Sequence, residues 1–247
     1  MISVVIALVL LTGCNSVAPK QEELAPAKSG ANSSNAPGAN PNESPPEIKS
    51  ATMSDYALIP LDRMIGTAEI IVAGEVVSVN DATFTARVDS AVVGDVSLKQ
   101  LEIAQYIPNR FEGTPRPAPY AAGQTFLWFL VKDEKLGPNV WRIMGVGGEG
   151  EMPIAENFVY FPARHIDGLK AESYRVHGAL RTTERFELPA FLDAVKNYRK
   201  CFKWEPARAE RPKPVLSCDQ ATLDQLSKAS LVHKYLVTTT RNRSKTN

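Results

Sequence analysis

Apolar and polar positions divide the chain into four stretches. Residues 2–11, Ile-Ser-Val-Val-Ile-Ala-Leu-Val-Leu-Leu, form an apolar run. It is too short for a membrane-spanning helix, which needs about 20 residues, and matches the core of a secretory leader. Residues 15–50 are rich in Pro, Ala, Asn, Ser, Gly and Glu, with few large aliphatic residues beyond Val17, Leu24 and Ile48. A stretch of that kind buries too little surface to offset its chain entropy, and as a flexible tether it reaches about 30–36 Å. Leu61, Met64, Ile65 and Ala68 then fall on one helical face behind Pro60, which predicts a short helix.

Strand periodicity follows. Ile70 to Val79 is apolar apart from Gly74, Glu75 and Ser78, and Asn80-Asp81 supplies turn chemistry. Phe84, Ala86 and Val88 alternate with Thr83, Thr85, Arg87 and Asp89, the two-residue period of a half-buried strand. A third strand is expected from Lys99 to Tyr106. Pro108, Pro115, Pro117 and Pro119 make residues 108–120 an excursion that cannot pair inside a sheet. Gln124 to Lys132 is apolar on both faces, so this strand should be central and covered twice. Further strands are expected at Val140 to Val146 and Asn157 to Phe161. Five or six short strands predict a small barrel or sandwich. Towards the C-terminus, Leu188-Pro189 opens a helix with Phe191, Leu192, Val195 and Tyr198 or Cys201 on one face. Thr222 and Gln225 match a capping box for a last helix carrying Leu223, Leu226, Leu231 and Tyr235. Arg241 to Lys245 is expected to be frayed and solvated.

Two resemblances sharpen this pattern. Leu11-Thr12-Gly13-Cys14 resembles the bacterial lipobox, which implies that Cys14 is lipidated and becomes the mature N-terminus. No Lys or Arg lies between Met1 and the apolar core; either the N-terminal amine serves as the positive end or the true start lies upstream. Asn15, where an Asp would resemble an inner-membrane retention signal, points to the outer membrane, facing the periplasm. Ala68 to Val76, Val88 to Asp95, Tyr120 to Leu130 and Gly147-Gly148-Glu149-Gly150 resemble, in order, strands and turns of secreted OB-type barrels of the netrin and metalloproteinase-inhibitor kind. The resemblance covers about residues 61–160. It implies a mainly β fold, a small OB-like antiparallel barrel with C-terminal helices, preceded by a signal peptide and disordered linker. The inhibitory chemistry of that family does not carry over, because no cysteine here opens the barrel. The expected organisation is a leader at 1–13, lipidated Cys14 and tether at 14–50, a β-rich domain at 51–165, a helical extension at 166–240 and a basic tail at 241–247.

Cysteine usage follows from the envelope address. Cys201 and Cys218 are the pair left after lipidation, and in an oxidising compartment they read as a disulfide worth about 3 kcal/mol; the alternative is two buried thiols. Charge is uneven: the 247 residues carry 28 Lys and Arg against 27 Asp and Glu, net +1, yet from Arg199 onward 11 positive and 4 negative residues leave +7. The positives are scattered, which fits a solvated face better than an anion-binding patch.

Candidate chemistry is sparse. His165, His177 and His233 are the only histidines; none pairs with another at helical spacing and no Cys-x-x-Cys occurs, so no metal and no cofactor is expected. His165 and Asp167 suggest a dyad but lack a Gly-x-Ser-x-Gly. Gly145 to Gly150 lacks the Lys-Ser/Thr of a phosphate loop and reads as a turn. Glu149 and Glu151 could serve a glycan hydrolase as acid and base, or more simply form a solvated strand edge. Tyr106, Phe111 and Tyr120 surround the proline-rich excursion and mark the expected ligand edge, since OB-type barrels bind along strand faces and loops. The expected function is a lipid-anchored envelope protein with a non-catalytic barrel that binds a protein or envelope polymer, and not nucleic acid. The alternatives are an envelope hydrolase acting on glycan or peptidoglycan, and an inhibitor or immunity protein of such a hydrolase.

Overall fold

In the computed structural model of this chain, residues 59–95, 97–105, 119–145, 149–162, 166, 168–205 and 212–246 are described. The leader, Cys14, the tether, Tyr106, Phe111, His165 and Asp167 lie outside the described residues. Helix α1, Leu61–Thr67, starts behind an extended Pro60 and buries Leu61, Met64 and Ile65 as its spacing requires. Strand β1, Ile70–Val79, runs antiparallel to β2, Thr83–Val93, which pairs with β3, Gln100–Ala104. The next strand, β4, Thr125–Lys132, pairs back onto β1, while β5, Val140–Ile143, lies antiparallel to β4 and parallel to β3. The order β1-β2-β3-β5-β4, closed by β4 on β1, is a five-stranded barrel of the OB-like type. At Gly74 the β2 backbone comes so close that a Cβ would collide with the Arg87 carbonyl, so that position of β1 demands glycine.

Strand β4, with β1 paired beside it, forms the wall between two cores. Phe126, Trp128 and Leu130 point into the barrel with Val72, Phe84 and Ile103. Leu127, Phe129 and Val131 point outward and are covered by helices and further strands. The double burial expected from an uninterrupted apolar run is therefore real, and its cause is a second layer packed on the barrel.

The sheet does not stop at the barrel. Strand β6, Glu151–Ala155, pairs with β4 and β7, Phe158–Pro162; β9, Ala179–Glu187, pairs with β7 and β8, Glu172–Val176. This corrects the expectation that residues beyond 165 are helical: residues 172–187 extend the sheet instead. Both added hairpins turn on two residues with positive φ, Glu156-Asn157 (49° and 65°) and His177-Gly178 (48° and 80°), as a two-residue hairpin of this hand requires. Neither dipeptide is an Asn-Gly or Asp-Gly, which is why the pattern hid them.

Helix α2, Leu188–Cys201, buries Phe191, Ala194, Val195, Tyr198 and Cys201, packing on β2, β7 and β9. It runs into β10, Phe202–Trp204, which pairs with β11, Pro214–Leu216. Cys201 and Cys218 form a disulfide across this ribbon, with Cα atoms 4.8 Å apart. The single last helix expected from Thr222 is two helices: α3, Gln220–Ala229, and α4, Leu231–Thr246. Asp219, not Thr222, caps α3, accepting from the Thr222 N–H at 2.8 Å. Ser230 breaks the run and caps α4, its Oγ accepting from the His233 N–H at 3.3 Å. The tail expected to fray is helical through Thr246, because Arg243 is drawn to a buried carboxylate described below.

Candidate functional site

Tyr120, expected on a ligand edge, is 7% exposed and belongs to the barrel core. Its ring stacks on Phe84 at 4.3 Å between centroids, Phe84 meets Trp128 at 5.6 Å, and Trp128 meets Phe126 at 5.4 Å. These rings touch one another, so they fill the barrel instead of walling a groove. The Tyr120 hydroxyl donates to Glu151 Oε2 at 2.5 Å. His177 sets its ring edge-on to Phe126 at 4.7 Å, with Nε2 3.2 Å from the Ile154 carbonyl. The Trp128 indole N–H has no described partner, a cost of about 1–3 kcal/mol that the burial of so large a ring outweighs.

The glutamate pair does not form a solvated edge. Glu149 is 1% exposed, and its Oε1 accepts from the Ile59 N–H at 3.4 Å. The turn that carries it folds back on β4: the Phe129 N–H donates to Gly150 O, and the Gly150 N–H to Met144 O. Glu149 is thereby held under the segment leading into α1, while Glu151 serves Tyr120. The two carboxylates have separate structural partners, the Ile59 amide and the core residue Tyr120.

An open recess among the described residues lies elsewhere, between the end of α1, the end of α2 and β10. Gly66, Glu69, Arg199, Lys203, Trp204 and Glu205 border a cleft of about 450 Å³, within the size range of small-ligand sites. The local sequence explains its walls. Arg199 lies in the last turn of α2 and donates through Nη1 to the carbonyls of Ile65, at 3.2 Å, and Gly66, satisfying acceptors that the end of α1 leaves open. The Trp204 ring lies directly on Gly66, where any Cβ would strike the indole. Glu69 accepts from the Lys132 N–H at 3.2 Å and Glu205 from the Lys213 N–H at 3.1 Å, so one oxygen of each carboxylate is fixed by backbone.

Behind the cleft runs a buried polar chain. The Trp204 Nε1–H donates to the Tyr198 oxygen at 2.8 Å, and the Tyr198 and Thr240 hydroxyls lie 2.8 Å apart. Thr240 donates to Asp62 Oδ2 at 3.3 Å, and Arg243 Nε donates to the same oxygen at 3.0 Å. Each hydroxyl has one proton, so Thr240 spends its own on Asp62 and must accept from Tyr198. Burial pushes the Asp62 carboxyl above its ordinary range, against the opposing pull of Arg243. Burial likewise raises the Tyr198 phenol. His233, buried at the start of α4, has its imidazole pKa lowered by desolvation, partly offset by Asp193. Its Nδ1 lies 2.9 Å from Ser230 Oγ, so the ring braces the cap that Ser230 supplies to α4.

Sequence reasoning placed no function at this cleft. The available signal was the short Phe202-Lys203-Trp204-Glu205 segment directly after a bridged cysteine, an aromatic between charges on a covalently pinned ribbon. Among the described residues, no group of three or more His, Cys, Asp and Glu gathers as metal ligands. No described helix is long and apolar enough to cross a membrane. Comparison with family models, with curated proteins and with solved structures finds no match to this chain.

Proposed function

We propose that this chain is a lipid-anchored bacterial envelope protein, tethered to the outer membrane through Cys14 and facing the periplasm, whose barrel domain is a non-catalytic binding module for a protein or an envelope polymer. The leader-like run, the Leu-Thr-Gly-Cys sequence and the polar tether support the address. The observation that carries the binding role is the cleft of about 450 Å³ bordered by Trp204, Arg199 and Lys203. OB-type barrels are reused for many kinds of recognition, so the barrel itself supports a binding role only by analogy.

The hydrolase reading rests on Glu149 as acid or base. Its burial and its bond to the Ile59 amide favour the binding role instead. Cys14→Ser is expected to move the protein from the membrane fraction to the soluble one, read by fractionation and immunoblotting. Retention in the membrane fraction overturns the anchor. In-cell photocrosslinking from position 215, exposed and facing Lys203, is expected to give a discrete adduct with a protein or an envelope polymer, and its absence counts against the module.

A further inference from the structure

Charge balance at the cleft narrows what it can hold. Arg199 and Lys203 supply positive charge, and Glu69 and Glu205 supply negative charge. An anionic ligand would face two carboxylates, and a cationic one would face a guanidinium and an ammonium. Neither sign of ligand is favoured, so a net-neutral ligand meets the least repulsion. The same side chains offer donors and acceptors together. Glu69 and Glu205 each commit one oxygen to a backbone amide and keep the other for a donor. Lys203 is exposed and pairs with no carboxylate among the described residues. Groups that both donate and accept, hydroxyls and secondary amides, satisfy such a mixture. Trp204 adds a half-buried aromatic wall, held by Gly66 on one side and by its indole bond to Tyr198, to which a flat C–H face can pack.

From this arrangement we infer that the cleft between α1, α2 and β10 binds a short segment of a neutral, N-acetylated glycan, its ring against Trp204 and its hydroxyl and amide groups shared among Glu69, Glu205 and Lys203. The inference rests on the binding-module reading and gives it a ligand class. Much of the ordering cost is already met before binding: Arg199 is fixed by two carbonyls, the carboxylates by amides, and β10 by the disulfide at Cys201.

The test uses the full lipidated chain in a sugar-free detergent and the β-1,4-linked tetramer of N-acetylglucosamine as probe. Saturable binding is expected by calorimetry, with a matching change in tryptophan emission. The chain has 3 tryptophans, and Trp204→Phe should remove the emission change. Because that variant loses the bond to Tyr198, two surface variants keep the test secure: Lys203→Gln and Glu205→Gln should each weaken binding at least fivefold without moving the urea midpoint. No saturable binding, unchanged affinity in both surface variants, or tighter binding of an acidic or fully deacetylated tetramer overturns the inference. If the tetramer does not bind while crosslinking from position 215 captures a defined protein, the glycan assignment falls and the binding module stands. If both experiments are blank, both fall.

Discussion

Asp62 is the residue whose environment most contradicts its chemistry. It sits in the first turn of α1 with 0% exposure, and its Oδ1 has no hydrogen-bond partner. Arg243, 39% exposed, and Thr240 both reach the other oxygen. Desolvation exceeds these attractions, so the carboxyl is raised from its ordinary 3.8. A folded pKa above the unfolded one means the native state binds the proton more tightly. The stabilising contribution is then complete below about pH 3.8 and is lost as pH rises through the folded value. Asp62→Asn is expected to flatten the fall in stability over that window, measured as urea midpoints from pH 4 to pH 7. An unchanged slope would show that Asp62 titrates normally. No local pattern announces this residue. An aspartate beside Leu61 at a helix start reads as an ordinary first-turn acid favoured by the helix dipole, and only α4 arriving from the far end of the chain buries it.

At the scale of elements, the ribbon of β10 and β11 depends most on a single bond. It has three pairs of facing residues, Val215 is 56% exposed, and its partner Lys203 faces solvent with it. So short a hairpin is marginal by itself. The disulfide joins residues 17 apart, and removing it should cost about 3 kcal/mol on the chain-entropy account, a sizeable part of a typical domain's 5–15 kcal/mol. Reduction, or Cys201→Ala with Cys218→Ala, is expected to lower the unfolding free energy from urea titration by that amount and to shift Trp204 emission. Alkylation of the denatured protein should find these two thiols only after reduction.

The same scale separates what periodicity can and cannot reveal. Strand β2 is readable because Phe84 and Ala86 alternate with polar neighbours, and α2 because its apolar residues repeat at helical spacing. Strand β6 holds Pro153, a residue usually confined to sheet edges, yet it pairs with both β4 and β7. The α3–α4 break was equally hidden. Leu231 and Tyr235 continue a plausible stripe from Leu223, but Ser230 satisfies an α4 amide and turns the chain.

The described domain is two cores that share strands β1 and β4. The barrel interior and the outer layer meet at β1 and β4, so a change in either strand disturbs both. The ends of the described domain are joined by Arg243 to Asp62 across 181 residues, and Glu149 ties Ile59 to the middle of the chain across 90. The basic C-terminal segment is therefore part of the fold. Deleting residues 241–247 is expected to cost about 1–3 kcal/mol, since it leaves a buried carboxyl with only Thr240 as side-chain partner. The Arg241 to Asp224 pair on the surface should add little to that loss. Equal urea midpoints for the shortened and full chains would refute the role of this clasp.

Local order lay in the sequence alone. The short opening helix, the alternation along β2, the doubly apolar β4 and the cysteine pair able to bridge are all written in neighbouring residues, because a helix or strand repeats its exposure every few positions. Tertiary structure alone decided that Tyr120 faces Glu151, that Glu149 turns inward, that Trp204 lies on Gly66 and that Arg243 closes on Asp62. Those contacts depend on where a closed barrel and its helices bring distant segments together, and closure leaves no periodic trace in the chain.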